Sequence, residues 1–467
     1  MNRSSIVIFV SAGMLSPKKR DHPLARQQLY LNYGALSLAT TLQIAGHDAV
    51  LVHGEHRNPA DVLDDLLSSG RFPSIYPIML SIPSFYALPW AQDFCRLVKK
   101  ADANCRIVVG GRWVVGPDIT WIEKMLPEAD TFAPGLSEPF IERLLTERPS
   151  LTRLTVPTPG FTLDHTLIDG YLKYQPSIEA SRGCGMGCLF CEERDIKLEK
   201  LGSAAELARS MTLVQEQYGN SEIRPYFQSS MFMPTARWAE ALAHETARKG
   251  ISINWRTETR VDVMTSETLA GLAAAGLRVL DLGLESASPR QILAMRKSRD
   301  PERYLRSAAD LLAACRSHGV KAKVNVLLYA GETLETLAET TAWLDDNSSA
   351  IAGVSVGPVL AYGPPKTAGI LIDDWRPLGA RPVDPDSAER TGITTMHLSD
   401  DFDAGNAEVT SLALSRRYMD ADDYFDLKSF SYYSRDYRRL DFDRDVARSD
   451  PLLLPFSVRG RVAASGA

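Results

Sequence analysis

The chain has 467 residues, 45% apolar and 24% charged, with a net charge of −6. Both signs are interspersed, so the charge pattern gives no reason to expect nucleic acid or an anionic membrane as a partner. No apolar run approaches the roughly 20 residues that span a bilayer, and the short apolar start behind one Arg lacks the longer core of a secretion signal, so a cytoplasmic protein is expected.

Over residues 1–147, apolar runs at 6–10, 49–53, 75–82 and 106–109 read as short buried strands. Helical spacing occupies 33–45, 59–67, 87–100 and 119–126 between and after them. This alternation predicts a parallel sheet covered on both faces, a doubly wound, Rossmann-like domain of about five units. Its ligand crevice belongs beyond the carboxyl ends of the strands. Residues 148–175, with Pro149, Pro157, Pro159 and Gly160, read as a linker.

A second series fills 176–360. Strands are expected at 177–180, 223–227, 252–256, 279–283, 321–328 and 353–359. Helices are expected at 204–218, 236–249, 266–275, 301–318 and 334–347. Six strands and five helices predict an α/β partial (β/α)6 TIM-type barrel, with its chemistry at the carboxyl ends of the strands. Residues 361–467 form a C-terminal extension that begins with a Gly363-Pro364-Pro365 break. Its helices are expected to cover the open side of the barrel, its aromatic segment 424–433 to pack there, and its tail 463–467 to be disordered.

The six cysteines are 95, 105, 184, 188, 191 and 315, and three of them crowd into eight residues. Cys95, Cys105 and Cys315 fall on apolar elements and read as small buried hydrophobes. The run Arg182-Gly183-Cys184-Gly185-Met186-Gly187-Cys188-Leu189-Phe190-Cys191 is different. Three thiolates at C-x3-C-x2-C can bind three irons of one cubane, leaving the fourth iron open to a small molecule. The interleaved glycines let the backbone wrap the inorganic core and turn peptide N–H groups toward its sulfurs. A structural zinc site would show a fourth Cys or His at matching spacing, and the next histidine downstream is His244.

With this motif directly after the first barrel strand and Phe190 ahead of the third Cys, the chain resembles the radical S-adenosylmethionine (SAM) superfamily over about residues 175–360. The resemblance implies a [4Fe–4S] cluster on Cys184, Cys188 and Cys191, SAM chelated at the open iron, and reductive cleavage of SAM to a 5′-deoxyadenosyl radical. It implies an external electron donor such as flavodoxin or ferredoxin. Cofactor contacts follow by position: Phe190; Glu285 and Ser286 in the Gly283-Leu284-Glu285-Ser286 turn; Gln228 and Ser229 after the second strand; Arg260 in Arg260-Val261-Asp262. Tyr329 opens Tyr-Ala-Gly-Glu-Thr, where the family has G-x-P-G-E-T, with Ala330 in place of Pro. Ordinary roles compete at several of these: a helix N-cap at Ser286 or Ser288, a strand-to-helix turn at Thr333, and a rim ion pair at Arg260.

The amino-terminal domain resembles that of the cobalamin-dependent branch, in Leu31–Ala39, Ala45-Gly46-His47, Val109-Gly110-Gly111-Arg112 and Gly135-Leu136-Ser137-Glu138. The D-x-H-x-x-G cobalt-ligating motif is missing, and His22, His53 and His56 lack its context. The resemblance implies bound cobalamin and methylation of an unactivated carbon of a small-molecule or natural-product substrate. The alternative is a rearrangement, cyclisation or hydrogen transfer without methyl transfer. A non-enzymatic iron–sulfur protein would need a fourth protein ligand.

Overall fold

The computed structural model describes residues 3–18, 21–145 and 161–460. The proline-rich part of the expected linker, the boundary at 147 and the tail 463–467 lie outside these residues.

Five parallel strands form the first sheet: β1 (Val7–Ser11), β2 (Ala49–His53), β3 (Ile78–Ser81), β4 (Ile107–Gly110) and β5 (Thr131–Phe132), in the order β2-β1-β3-β4-β5. Helix Tyr33–Ile44 covers one face, and helices Pro59–Ser68 and Leu88–Ala101 pack together on the other. Both faces are therefore buried, which is why these strands read as continuous apolar runs. With two residues, β5 is too short to show a periodicity of its own.

Residues 161–175, expected as linker, are packed. Leu163, Ile168 and Tyr174 are buried in the core of the first domain, and the Asp169 N–H donates to the Leu51 carbonyl at 2.9 Å. His165 is fully buried and accepts the Ser177 N–H at 3.1 Å; burial pushes its pKa down to about 4. The segment is a strap that carries the chain from one sheet directly into the next.

The second sheet has six parallel strands: β6 (Ser177–Glu179), β7 (Tyr226–Gln228), β8 (Trp255–Arg260), β9 (Leu277–Glu285), β10 (Lys321–Leu328) and β11 (Gly353–Pro358). Their order is β11-β10-β9-β8-β7-β6, an open half barrel. Its convex face carries the helices and the largest core, where Phe227 and Trp255 stack with centroids 4.2 Å apart. The third strand lies further along the chain than 252–256, because Arg256, Glu258 and Arg260 alternate with threonines. Polar residues at period 2 make a strand when both faces can satisfy them. Thr257 and Thr259 turn outward and donate to the Phe227 and Phe232 carbonyls at 3.0 and 2.7 Å, while the charged residues turn inward.

The C-terminal extension does three jobs. Helix Ala404–Tyr418 lies along β11, and the Ser415 hydroxyl accepts the edge-strand Val356 N–H at 3.2 Å, capping an otherwise open edge. Helices Ala421–Ser429 and Arg439–Ala447 close the amino end of the lumen, where Tyr424, Leu427, Phe430, Tyr433 and Phe442 pack with Val279 of β9. A small antiparallel sheet, β12 (Leu360–Tyr362), β13 (Arg381–Pro382) and β14 (Ile393–His397), reaches across to the first domain. There Trp121 Nε1 donates to the Glu389 carbonyl at 2.8 Å and Thr367 Oγ1 to Asp118 Oδ2 at 2.6 Å.

Candidate functional site: a cysteine loop between two sheets

Strand β6 runs into the loop that carries Cys184, Cys188 and Cys191. The loop is folded back on itself: the Cys184 N–H donates to the Ile196 carbonyl at 2.9 Å, Gly187 to Arg194 at 3.2 Å and Cys191 to Cys188 at 3.1 Å. Gly183 has φ +73°, and a Cβ there would stand 2.2 Å from the Lys197 carbonyl oxygen, so the turn requires glycine. Gly187, at φ +74°, faces open space.

Burial raises the Cys191 thiol to about 11 and that of Cys184 in the same direction. Peptide N–H groups of Glu193 and Met186 oppose the rise, and so do the charges of Arg112, Arg260 and Lys297. Arg260 Nη1 lies 3.5 Å from Cys188 Sγ. Soft sulfur donors ringed by fixed cations and turned N–H groups fit an anionic thiolate-ligated cluster, whose binding would release the thiol protons. Among the described residues no three His, Cys, Asp or Glu side chains converge as the ligands of a single metal ion. By contrast, Cys95 and Cys315 are fully buried and Cys105 nearly so, with thiols pushed up to about 12, 12 and 11 by burial alone or chiefly by burial. They are the small hydrophobes the sequence suggests.

Three of the expected cofactor contacts gather beside Cys188. Glu285 closes β9 at φ +65°, a left-handed conformation uncommon outside glycine, and its Oε1 accepts from Lys297 Nζ at 3.1 Å. Lys297 stands 5.6 Å over the Phe190 ring, and its carbonyl accepts from Arg260. Arg260 also forms the rim ion pair with Asp262, at 2.9 Å. Lys297 is thus the member of this cluster that sequence reasoning missed; it follows a helix and belongs to no recognisable motif.

The other four stand apart. Ser286 points outward, bonded to Thr340 Oγ1 at 3.0 Å and accepting the Ser288 N–H, so its hydroxyl ties the turn to helix Leu334–Asp346. Ser229 is spent on Ser181 at 2.6 Å. Gln228 faces inward on β7 and donates to Ser177 Oγ at 3.0 Å. Tyr329 is fully buried between Phe190 and Trp375, with ring centroids 6.3 and 5.7 Å away.

The carboxyl ends of the first sheet face this loop. Arg112, just past β4, pairs with Glu192 at 3.1 Å and Glu193 at 3.0 Å, and Arg182 pairs with Glu138 at 3.1 Å and Glu179 at 2.6 Å. Asn32 caps helix Tyr33–Ile44, and its amide donates to Ser11 and Ser81, both at 3.0 Å, at the ends of β1 and β3. His53 ends β2, but its Nε2 already accepts the Asn32 N–H at 3.0 Å and burial lowers its pKa to about 4. Gly135, at φ +78° with no atom within 4 Å of a notional Cβ, leaves an open cradle at the same crest. His56 and His47 are bonded to Met14 and Glu142. This crest fits a flat macrocycle held without a histidine ligand.

Residues 178–344 match the Radical SAM superfamily. The chain is 25% identical over 335 residues to the hopanoid C-3 methylase of Methylococcus capsulatus, covering 65% of this chain and 63% of that one. It is 23% identical over 166 residues to an uncharacterized methyltransferase of Pyrococcus horikoshii, covering 35% of each. The chain thus spans from about a third to under two thirds of the length of these curated relatives. Among solved structures, the radical SAM methyltransferase TsrM from Kitasatospora setae superposes with a TM-score of 0.58 at 17% identity, over 89% of this chain and 91% of that one. The cobalamin-dependent radical SAM enzyme OxsB superposes at 0.54 and 16% identity, over 73% and 52%. The chain thus carries a radical SAM domain over residues 178–344, with its cysteine loop at the mouth of a half barrel, and shares its fold with these cobalamin-dependent enzymes.

Proposed function

We propose that this chain is a radical SAM enzyme that methylates a carbon of a small molecule with the help of cobalamin. One observation carries the reading: the Cys184–Cys191 loop stands at the carboxyl end of a half barrel and directly opposite the carboxyl crest of a doubly wound sheet, bridged to it by Arg112 and Arg182. The related TsrM is a methyltransferase, and OxsB has been seen with aqua-cobalamin and SAM.

Cys184, Cys188 and Cys191 would hold the cluster, and Asn32, the Gly110-Gly111 turn and the Gly135 cradle would border cobalamin. When bound, a cluster with one open iron supplies the electron that cleaves SAM, and cobalamin supplies methyl transfer. The residues themselves position and screen. Arg260 and Lys297 set fixed positive charge beside the sulfurs, which stabilises the thiolates. Glu285, held by Lys297, presents a carboxylate at the mouth that suits an ammonium or a pair of hydroxyls. The electron comes from an external donor such as flavodoxin or ferredoxin. No described helix is long and apolar enough to cross a membrane.

Anaerobic reconstitution followed by absorbance spectroscopy and product analysis tests the reading. Iron–sulfur and corrinoid bands, with S-adenosylhomocysteine formed alongside 5′-deoxyadenosine, are expected. 5′-Deoxyadenosine without S-adenosylhomocysteine would instead favour rearrangement or hydrogen transfer. Iron-free or zinc-loaded protein would sink both.

A further inference from the structure

The inner wall of the half barrel carries a statement about substrate class; it rests on the reading above for the chemistry performed there, but not for the binding itself. In a parallel half barrel every second residue of a strand faces the lumen. On β8 these are Arg256, Glu258 and Arg260, three tiers from floor to mouth.

The floor is saturated. Arg256 is fully buried and pairs with Asp281 of β9, its Nε 3.1 Å from Oδ2. Lys323 of β10 holds the other oxygen of Asp281 at 3.1 Å. Arg256 also donates to the Leu427 carbonyl at 2.7 Å and lies 4.7 Å from the Tyr432 ring centroid. Every nitrogen of Arg256 is thus engaged within the protein.

The middle tier differs. Glu258 is exposed in a strand whose other five residues are buried, and the alternation that buries Arg256 turns it toward the lumen. A solvent-reached carboxyl on the inner wall is open to a ligand in the lumen. Among the described residues no Lys or Arg forms an ion pair with Glu258; the Tyr226 hydroxyl lies beside it, Lys323 and Arg256 attract it from farther off, and Asp281 repels it. Gln228 faces inward beside it on β7, Asp281 and Lys323 stand level with it on β9 and β10, and one tier nearer the mouth Asn325 and Ser355 face inward while Gly283 leaves the wall without a side chain. Two residues along a strand span roughly 7 Å. Glu258 therefore sits one tier, about 7 Å, below Arg260, which touches Cys188.

We propose that Glu258 is the substrate anchor of this lumen, and that the substrate is a compact hydrophilic molecule presenting a hydroxyl or ammonium donor to its carboxyl group, not a hydrocarbon skeleton. A hydrocarbon placed there would cut the Glu258 carboxyl off from solvent with only the Tyr226 hydroxyl beside it, whereas Gln228 and Asn325 are already bonded to Ser177 and Lys323. Sites built on such partners reject analogues that lack them by factors on the order of 10⁴. The lumen thus differs in kind from one meant for a molecule such as a hopanoid, despite the sequence similarity to the hopanoid methylase.

Saturation-transfer NMR on the full chain, reconstituted anaerobically, tests this with three probes: D-glucosamine, methyl α-D-glucoside and trans-decalin. Transfer to one or both sugars, absent for decalin and reduced at least about tenfold in Glu258→Leu, is expected. Glu258→Gln keeps the hydrogen-bonding capacity and should retain the glucoside; glucosamine lost selectively in that variant identifies ammonium as the donor. Transfer to decalin, equal transfer to the sugars in Glu258→Leu, or no transfer to either sugar overturns the proposal. Iron content of the same samples separates the two readings. Iron-free protein with Glu258-dependent transfer would end the cluster assignment alone. Iron-replete protein with transfer independent of Glu258 would end this one alone.

Discussion

The two parallel sheets of this molecule handle polar groups in opposite ways. In the first, β1 is buried from Val7 to Ser11, and polar side chains appear only at strand ends, as Ser11, His53 and Ser81. In the second, charge runs through the body of the sheet: Arg256, Glu258 and Arg260 on β8, Asp281 on β9 and Lys323 on β10. The difference teaches where each sheet can bind. Helices cover both faces of the first, so a ligand can meet it only at the crest. The second has its helices on one face, so its inner wall above the buried Arg256 is available.

The strongest test of this contrast acts where the two sheets meet. Replacing Cys184, Cys188 or Cys191 with Ala should abolish iron retention and SAM cleavage, read by iron assay and by chromatography of 5′-deoxyadenosine. A variant with full cleavage activity would remove the junction as the reactive centre. Within the second sheet, Asp281→Asn strips the buried Arg256 of its counter-charge and should cost about 3–5 kcal/mol. Within the first, Leu51→Ala should cost about 2–5 kcal/mol through an apolar cavity. Guanidinium denaturation measures both. Raising the salt concentration should change the loss from Asp281→Asn less than that of any surface pair, because the pair is dry. Insensitivity of stability to Asp281→Asn would mean that the inner network is ornamental.

A smaller effect depends on pH. Glu332, 2% exposed in the turn after β10, is pushed up to about 7 by burial. The Thr336 hydroxyl and Tyr329 N–H favour its ionised form, as does Arg290, while Glu339 opposes it. Its folded pKa lies above the ordinary value of 4.5, so the folded chain keeps a proton that the unfolded chain releases. Its stabilising contribution is therefore full below about pH 4.5 and is lost as pH rises toward 7, by on the order of 2–3 kcal/mol. Glu332→Gln should flatten that part of the stability profile between pH 5 and 8. Parallel profiles for the two proteins would refute the shift. Least of all, Arg112→Ala removes a half-exposed bridge between the sheets and should cost under about 1 kcal/mol in Tm-derived stability. Its larger signature would be looser docking of the first domain, seen as faster amide exchange across residues 110–115.

Much of this was legible in the chain itself. The C-x3-C-x2-C run stands out as the candidate site because three thiols in eight residues have few structural uses. The order of the main strands and helices follows from local periodicity, whereas short β5 and helix Pro289–Ala294 escape it and β7 and polar β8 lie further along the chain than expected. Position in a motif singled out Phe190, Arg260 and Glu285, which Lys297 joins to one another, but could not tell that Ser286 and Ser229 turn away. Facing is set by strand register, and a shift of one residue reverses it.

What the sequence by itself determined is therefore the cysteine loop and the succession of elements, since both depend on residues close together in the chain. The tertiary structure alone decided that Lys297 joins Glu285 to Phe190, that residues 360–398 bridge back to the first domain, and that Glu258 is reached by solvent while Arg256 is not. The physical reason is that the environment of a charged strand residue is made by elements far away in sequence. Asp281, the Leu427 carbonyl and Tyr432 engage Arg256, whereas among the described residues no Lys or Arg forms an ion pair with Glu258.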